Sequence, residues 1–222
     1  MYDVRVSPPR PAAVRSRIAV EGRPSTDGGC AGCAQLVPLR ALRRAGVAVQ
    51  GGLGCDPGAE AGPRPAQGRW AAVTGPARVL DGGARALLDA ASAAGAAFVL
   101  VTDDDPARAR SLEVLLAAAG AHVHRAGAGD HAAWEALVAH ALAAPAATVL
   151  LSVERCARGA PAGRPALVAT SRCNRCGACL SLGCPALSDP GEEAMWVDPG
   201  VCTGCGLCAP LCRGRALAVG EG

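Results

Sequence analysis

The sequence predicts an α/β domain with a parallel sheet covered by helices, followed by a small α+β domain that carries eight cysteines. Strand-like and helix-like segments alternate along the first domain. Its strand-like segments at residues 98–102 and 148–153 are short and mostly apolar, as expected of strands that are buried on both faces. The second domain is predicted by a change in composition after residue 166, where Cys, Gly and Pro become frequent.

Five strands and four helices make up the predicted α/β domain. Glycines end three of the helices, Pro106 fits the first turn of the third helix, and Asp130 is placed to cap the fourth. The predicted strands cover residues 47–50, 70–74, 98–102, 121–125 and 148–153. The predicted helices cover residues 35–44, 83–94, 106–119 and 130–143.

The chain is accordingly divided into four parts. These are an extended lead-in at residues 1–27, the α/β domain at 28–157, a linker at 158–166 and the cysteine-rich domain at 167–222. Short strands at residues 166–170, 195–198 and 216–219 are expected to frame the cysteine loops.

Composition excludes several classes of function. All 22 basic residues are arginine, so a P-loop lysine and a Schiff-base lysine are both absent. The arginines are scattered and only 2% of residues are aromatic, which argues against nucleic-acid binding. No stretch reaches the roughly 18 apolar residues of a membrane span, and we expect a cytoplasmic protein. Because a reducing cytoplasm disfavours structural disulfides, the twelve cysteines indicate metal or redox chemistry.

Two blocks of four cysteines carry the clearest signal. The first has the spacing C-x2-C-x2-C-x4-C-P, and the second has the spacing C-x2-C-x2-C-x3-C. Their members are Cys173, Cys176, Cys179 and Cys184 in the first block, and Cys202, Cys205, Cys208 and Cys212 in the second. Three cysteines at this spacing on one loop reach three iron corners of a cubane cluster, and the fourth ligand must come from elsewhere. Paired zinc sites are the alternative, because C-x2-C pairs also bind zinc.

Residues 166–219 resemble the bacterial-type two-cluster ferredoxin domain. The resemblance implies two [4Fe-4S] clusters and electron transfer, with the last cysteine of each block bound to the cluster of the other block. Cluster 1 would take Cys173, Cys176, Cys179 and Cys212, and cluster 2 would take Cys202, Cys205, Cys208 and Cys184. The chain departs from the family's pattern in two places, since four residues precede Cys184 instead of three and Arg213 replaces the usual proline.

Four further cysteines lie before the linker. They are Cys30 and Cys33 in CAGC, Cys55 at the end of GGLGC, and Cys156 after the last predicted strand. Loops that follow the strands of a parallel sheet share one edge, so Cys55 and Cys156 could converge there. The residues alone leave open a zinc site and a free C-x2-C thiol pair.

A second resemblance links these motifs. The order of CAGC, a helix ending in ALRRAGV, and GGLGC resembles the thiamine-diphosphate domain of 2-oxoacid:ferredoxin oxidoreductases, especially the large subunit of indolepyruvate enzymes, which ends in the same ferredoxin module. It implies a third [4Fe-4S] cluster on Cys30, Cys33, Cys55 and Cys156. The family's first Mg²⁺-binding aspartate is missing from Thr74-Gly75-Pro76, which leaves Asp104 as a remnant of the Mg²⁺ and thiamine diphosphate site. We therefore expect the thiamine-enzyme fold without its chemistry.

Three functions are compatible with these observations. The first is an electron-transfer subunit of an oxidoreductase complex acting on 2-oxoacids, not catalytic alone, with the missing thiamine domain on a partner subunit and a soluble ferredoxin as acceptor. The second is a stand-alone ferredoxin-type carrier fused to a non-catalytic docking scaffold. The third is a divergent thiamine enzyme. The acidic run at residues 103–105 is either a cation site or a cap for the helix that begins at Pro106.

Overall fold

The computed structural model describes residues 30–53, 69–144, 147–157, 163–191 and 194–219. The chain divides into two compact units. One comprises Val37–Cys156 and is called the sheet unit below. The other joins the residues up to Leu36 with those from Ala157 onward and is called the cysteine unit.

The sheet unit contains a five-stranded sheet in which every pairing is parallel. Its strands are β1 (Ala48–Gly51), β2 (Trp70–Thr74), β3 (Phe98–Asp103), β4 (His122–Arg125) and β5 (Thr148–Val153). They lie in the order β1-β2-β3-β5-β4. The predicted parallel α/β sheet is confirmed, and the bounds of β2 and β5 are those expected from the sequence.

Five helices cover this sheet. They are α1 (Leu36–Arg44), α2 (Ala77–Leu80), α3 (Ala84–Ala93), α4 (Ala109–Ala118) and α5 (His131–Ala143). The short helix α2 was not predicted, because Gly82 and Gly83 follow it and obscure its pattern. Its Val79 is nonetheless buried in the core. The Asp130 side chain caps α5 as predicted, accepting a hydrogen bond from the Ala133 N–H at 2.9 Å.

The two faces of the sheet have separate cores. Val99 and Val101 of β3 pack with residues of α2, α3 and α4. Leu100, which lies between them on the strand, points to the opposite face and is also fully buried. Helices α1 and α5 belong to that face and are tied together by an ion pair between Arg40 and Glu135 at 2.7 Å. The central strands β3 and β5 are therefore covered on both sides.

The cysteine unit is built from loops and two short antiparallel strand pairs. Strand β6 (Leu167–Val168) pairs with β9 (Leu217–Ala218), and β7 (Leu187–Ser188) pairs with β8 (Trp196–Val197). β6, β8 and β9 lie inside the predicted strands, whereas β7 was not predicted. Turns of 3₁₀ helix occur at Ala178–Leu182 and Ala209–Leu211, within or beside the two cysteine blocks.

Cys30–Leu36 lies with the cysteine unit. Gly32 in this segment sits so close to Thr203 that a Cβ at Gly32 would overlap the Thr203 hydroxyl. Among the described residues, no helix has the length and apolarity needed to cross a bilayer.

Candidate metal centre

The two cysteine blocks fold into loops with the same backbone pattern. Arg175 and Gly204 precede the second cysteine of their blocks, and both have a left-handed φ, of 54° and 72°. Gly177 and Gly206 follow that cysteine, with φ values of 69° and 77°. The two loops therefore place left-handed residues at equivalent positions on both sides of their second cysteine.

Gly204 is also fixed by close packing. A Cβ there would overlap the backbone carbonyl oxygen of Arg164. The neighbouring Gly163 donates its N–H to the Thr203 oxygen at 2.8 Å. Residues 163–164 and 203–204 thus pack backbone against backbone, which only glycine at residue 204 allows.

The role of Arg175 was not predicted, because the sequence analysis rested on the spacing of the cysteines. A left-handed conformation costs an arginine roughly 1–2 kcal/mol. Arg175 is held in place by Asp189, whose two carboxylate oxygens lie 2.9 and 3.1 Å from its Nη2 atom. The Gly191 N–H, followed by the Arg175 guanidinium, lowers the pKa of Asp189, so that the carboxylate stays ionised.

The thiols of the eight C-terminal cysteines fall into two groups. The pKa of Cys179 is raised first by burial and then by the nearby thiolate charges of Cys212 and Cys173. Cys176 belongs to the same loop, between Cys173 and Cys179. The last cysteine of the second block therefore lies with the first block.

The second group has the reciprocal composition. Burial raises the pKa of Cys208 to about 12, with further contributions from Cys205, Cys202 and Cys184. The pKa of Cys184 is likewise raised by burial, and the charges of Cys205 and Cys202 add to the effect. Cys184, the last cysteine of the first block, thus lies among the cysteines of the second.

Backbone N–H groups reach several of these sulfur atoms. The Ala216 N–H donates to Cys212 Sγ at 3.1 Å, and the Ala166 N–H donates to Cys202 Sγ at 3.4 Å. Cys184 accepts hydrogen bonds from the backbone of Ala186 and of Gly32, and both lower its pKa. Such bonds stabilise thiolates and adjust the electronic properties of a bound metal centre.

The donor set suits a cationic metal centre. None of the eleven cysteines that the structure describes forms a disulfide. Burial and mutual repulsion raise the pKa of Cys179, Cys184 and Cys208, and a bound metal offsets both effects because metal binding displaces the thiol protons. Within the described ranges, no three His, Cys, Asp or Glu side chains gather around one position for a single metal ion. Cys179 and Cys208 are buried, whereas Cys176 and Cys205 are exposed.

The four other cysteines are divided between the units. Cys30 and Cys33 lie in the cysteine unit, at the ends of a tight turn in which the Cys33 N–H donates to the Cys30 oxygen at 3.0 Å. Cys156 is the last residue of the sheet unit. Cys55 lies outside the described residues.

The acidic run after β3 is organised by an arginine. The Asp103 side chain is fully buried, and its carboxylate accepts hydrogen bonds from Arg108 Nε at 2.8 Å and Nη2 at 2.6 Å. The backbone N–H groups of Asp104 and Asp105 donate to the same carboxylate at 2.7 and 3.2 Å. Burial alone would raise the pKa of Asp103, but these hydrogen bonds outweigh it and hold the pKa below its ordinary value.

Asp104, the remnant Mg²⁺ ligand of the sequence analysis, lies beside the same arginine. Its side chain is 47% exposed and approaches Arg108 Nη2 at 3.5 Å. Asp105 accepts the Ala107 N–H at 3.0 Å and so caps the 3₁₀ turn at Pro106–Arg108. The carboxylates of this turn thus form ion pairs with Arg108, and Asp105 also accepts a backbone hydrogen bond at the start of the following helix.

One known protein family matches part of the cysteine unit. Residues 195–218 match the 4Fe-4S binding domain family. The match contains the second cysteine block. The C-terminal region is therefore an iron–sulfur-binding domain.

One curated protein is similar to a short stretch of the chain. The indolepyruvate oxidoreductase subunit IorA of Methanothermobacter marburgensis is 37% identical over 60 residues, which is 27% of this chain. The match spans only 10% of the relative's length. No solved structure matches significantly. Together with the domain match, this similarity supports an iron–sulfur electron-transfer role in an oxidoreductase-type subunit.

Proposed function

We propose that the chain is an iron–sulfur electron-transfer subunit of a 2-oxoacid:ferredoxin oxidoreductase-like complex of the indolepyruvate type. The observation that carries the proposal is the division of eight thiols into two groups, together with the match of the second cysteine block to the 4Fe-4S binding domain family. The name of the curated relative supports the type of complex.

In this proposal the two thiol groups are the ligand sets of cluster 1 and cluster 2, as defined above. When bound, each [4Fe-4S] cluster supplies a one-electron carrier. The chain itself contributes thiolates on both loops, and the backbone N–H groups of Ala216 and Ala166 donate to the sulfur atoms of Cys212 and Cys202. Exchange of the last cysteine between the blocks ties the two loops together, so that neither site is complete without the other.

The sheet unit is proposed to be a scaffold for a partner subunit that carries thiamine diphosphate. Thr74-Gly75-Pro76 lacks the aspartate that the family uses, and Asp104 shares its surroundings with Arg108. An arginine beside a carboxylate competes with Mg²⁺ for the same charge. We therefore assign no catalytic residue to this chain, and we expect it to act in the cytoplasm with a soluble ferredoxin as acceptor.

Cys30, Cys33, Cys55 and Cys156 are proposed ligands of a third [4Fe-4S] cluster. The support is the resemblance of their motifs to the oxidoreductase family. The alternatives to this third cluster are a zinc site and a metal-free thiol pair at Cys30 and Cys33.

Metal analysis of anaerobically purified protein tests the ligand assignment. Two clusters require about eight iron atoms and as many sulfide ions per chain, and three clusters require about twelve. If the wild type holds about twelve iron atoms, replacement of Cys156 by serine should lower that number by about four. If the wild type holds about eight, the same replacement should leave the number unchanged. Colourless protein that contains zinc and no iron would refute the proposal.

A stand-alone carrier on a docking scaffold is the second candidate. The observation that favours it is the self-contained ion pair between Asp103 and Arg108, which occupies the turn where a cofactor metal would be held. Isolation of the tagged chain from anaerobic cell extract distinguishes the two. A complex that reduces ferredoxin only when a 2-oxoacid is added supports the oxidoreductase subunit, whereas isolated chain with two reducible clusters and no such activity supports the carrier.

A further inference from the structure

The turn formed by Cys30–Cys33 packs onto the second cysteine block. Its third residue, Gly32, has a φ of 76°, which a turn of this kind reserves for glycine. A Cβ on Gly32 would overlap the Thr203 hydroxyl and would lie 3.3 Å from the Ala157 Cβ. Thr203 stands between Cys202 and Cys205, so this contact brings the turn directly against the loop of cluster 2.

In this position the turn donates one hydrogen bond to a proposed cluster ligand. The backbone N–H of Gly32 donates to the sulfur of Cys184. Cys184 is the ligand that cluster 2 receives from the first block. The Thr203 hydroxyl oxygen is itself buried and has no hydrogen-bond partner among the described residues, so its effect on Gly32 is steric.

We propose that Gly32 is a positioning residue that raises the reduction potential of cluster 2 through its N–H bond to Cys184. The inference rests on the proposed function, because it requires the cluster to be present. The reduced state of a cluster carries one more negative charge than the oxidised state, and part of that charge resides on the thiolates. A backbone N–H aimed at a thiolate stabilises the more negative state and so raises the potential.

Replacement of Gly32 tests the inference. In Gly32→Ala the new Cβ must push the turn away from Thr203, which lengthens the bond to Cys184. The reduced-to-oxidised ratio of one cluster should fall about tenfold at a fixed potential, equivalent to 59 mV for a one-electron couple. The other cluster should keep its potential. The measurement is a redox titration of the purified chain followed by EPR.

Two further variants separate tuning from general damage. Gly46→Ala introduces a side chain at a φ of 67° with no atom within 4 Å, so it imposes the same backbone strain within the sheet unit and should shift neither potential. Gly32→Ala combined with Thr203→Ala removes the hydroxyl from the overlap and should recover at least half of the shift. If Gly32→Ala does not assemble cluster 2, the double variant is titrated in its place and is expected to show the smaller downward shift.

The failures of the two proposals are distinguishable. Wild-type protein without iron refutes the proposed function. Wild-type protein with two clusters, whose potentials are unchanged in both Gly32 variants, refutes this inference and leaves the proposed function standing. Equal shifts in both clusters, or a shift in Gly46→Ala of the same size, also refute it.

Discussion

Replacing Asp103 by asparagine should destabilise the sheet unit by about 2 kcal/mol. The Asp103 carboxylate is fully buried, whereas the side chain of Arg108 is 40% exposed. Removal of one partner from a fully buried ion pair costs about 3–5 kcal/mol. The cost is smaller here because Arg108 remains in contact with water and with the carboxylates of Asp104 and Asp105. The carboxamide oxygen of the introduced asparagine would still accept the backbone N–H bonds, so the loss is mainly that of the charged bonds to Arg108.

Urea denaturation followed by tryptophan fluorescence measures this loss. The matched control is Asp89→Asn, which breaks an ion pair with Arg85 on the exposed surface of α3. An exposed pair of this kind contributes no more than about 0.5 kcal/mol. If Asp103→Asn and Asp89→Asn lower the free energy of unfolding equally, the Asp103–Arg108 pair does not hold the turn, and the reasoning is wrong. Stabilisation of the wild type by Mg²⁺ would contradict it as well, because a bound cation adds stability by mass action.

The same pair predicts a dependence on pH. The folded-state pKa of Asp103 lies below its ordinary value of 3.8. Its contribution to stability is therefore fully present above that ordinary value and is lost as the pH falls through the lower, folded-state pKa. The difference between the wild type and Asp103→Asn should be constant near neutral pH and should shrink only below about pH 4. A difference that already shrinks between pH 7 and pH 5 would exclude this carboxylate as its source.

Three other pairs of substitutions test the packing and the proposed ligand sets. Gly204→Ala should remove about four iron atoms per chain, because its Cβ would overlap the backbone oxygen of Arg164. Gly177→Ala, which has open space at its Cβ, should retain all of the iron. An equal iron content in the two variants would contradict the role of the contact between Gly204 and Arg164. Trp134→Ala should lower the free energy of unfolding by about 3–5 kcal/mol because the side chain is fully buried, and Trp134→Phe by about 1 kcal/mol through loss of the indole bond to a backbone carbonyl. Cys212→Ser should alter the same EPR signal as Cys173→Ser, and changes in different signals would rule out crossed ligation.

The sheet could be predicted from the sequence because its strands are buried on both faces. Phe98–Asp103 and Thr148–Val153 are buried throughout, and a buried strand shows itself as a short apolar run. The helix α2 could not be predicted in this way. Its four residues are too few for a helical period to appear, and its one buried side chain is that of Val79.

The site was partly predictable for a different reason. Cysteine spacing is visible in the sequence, so both blocks were identified from it. The contact of Gly32 with Thr203 joins residues that are far apart in the chain and carry no shared motif. The left-handed conformation of Arg175 was equally hidden, since arginine gives no hint of it and the compensating Asp189 lies fourteen residues away.

The exposure of Cys176 and Cys205 determines how this protein must be handled. These residues hold equivalent positions in the two loops, and both sulfur-bearing side chains reach water while Cys179 and Cys208 do not. Thiolate oxidation follows accessibility, so with the proposed clusters bound, dioxygen and peroxide would reach each of them first at this one corner. We therefore expect preparations made in air to bleach at both proposed clusters with similar speed, and preparations made under an inert atmosphere to retain them.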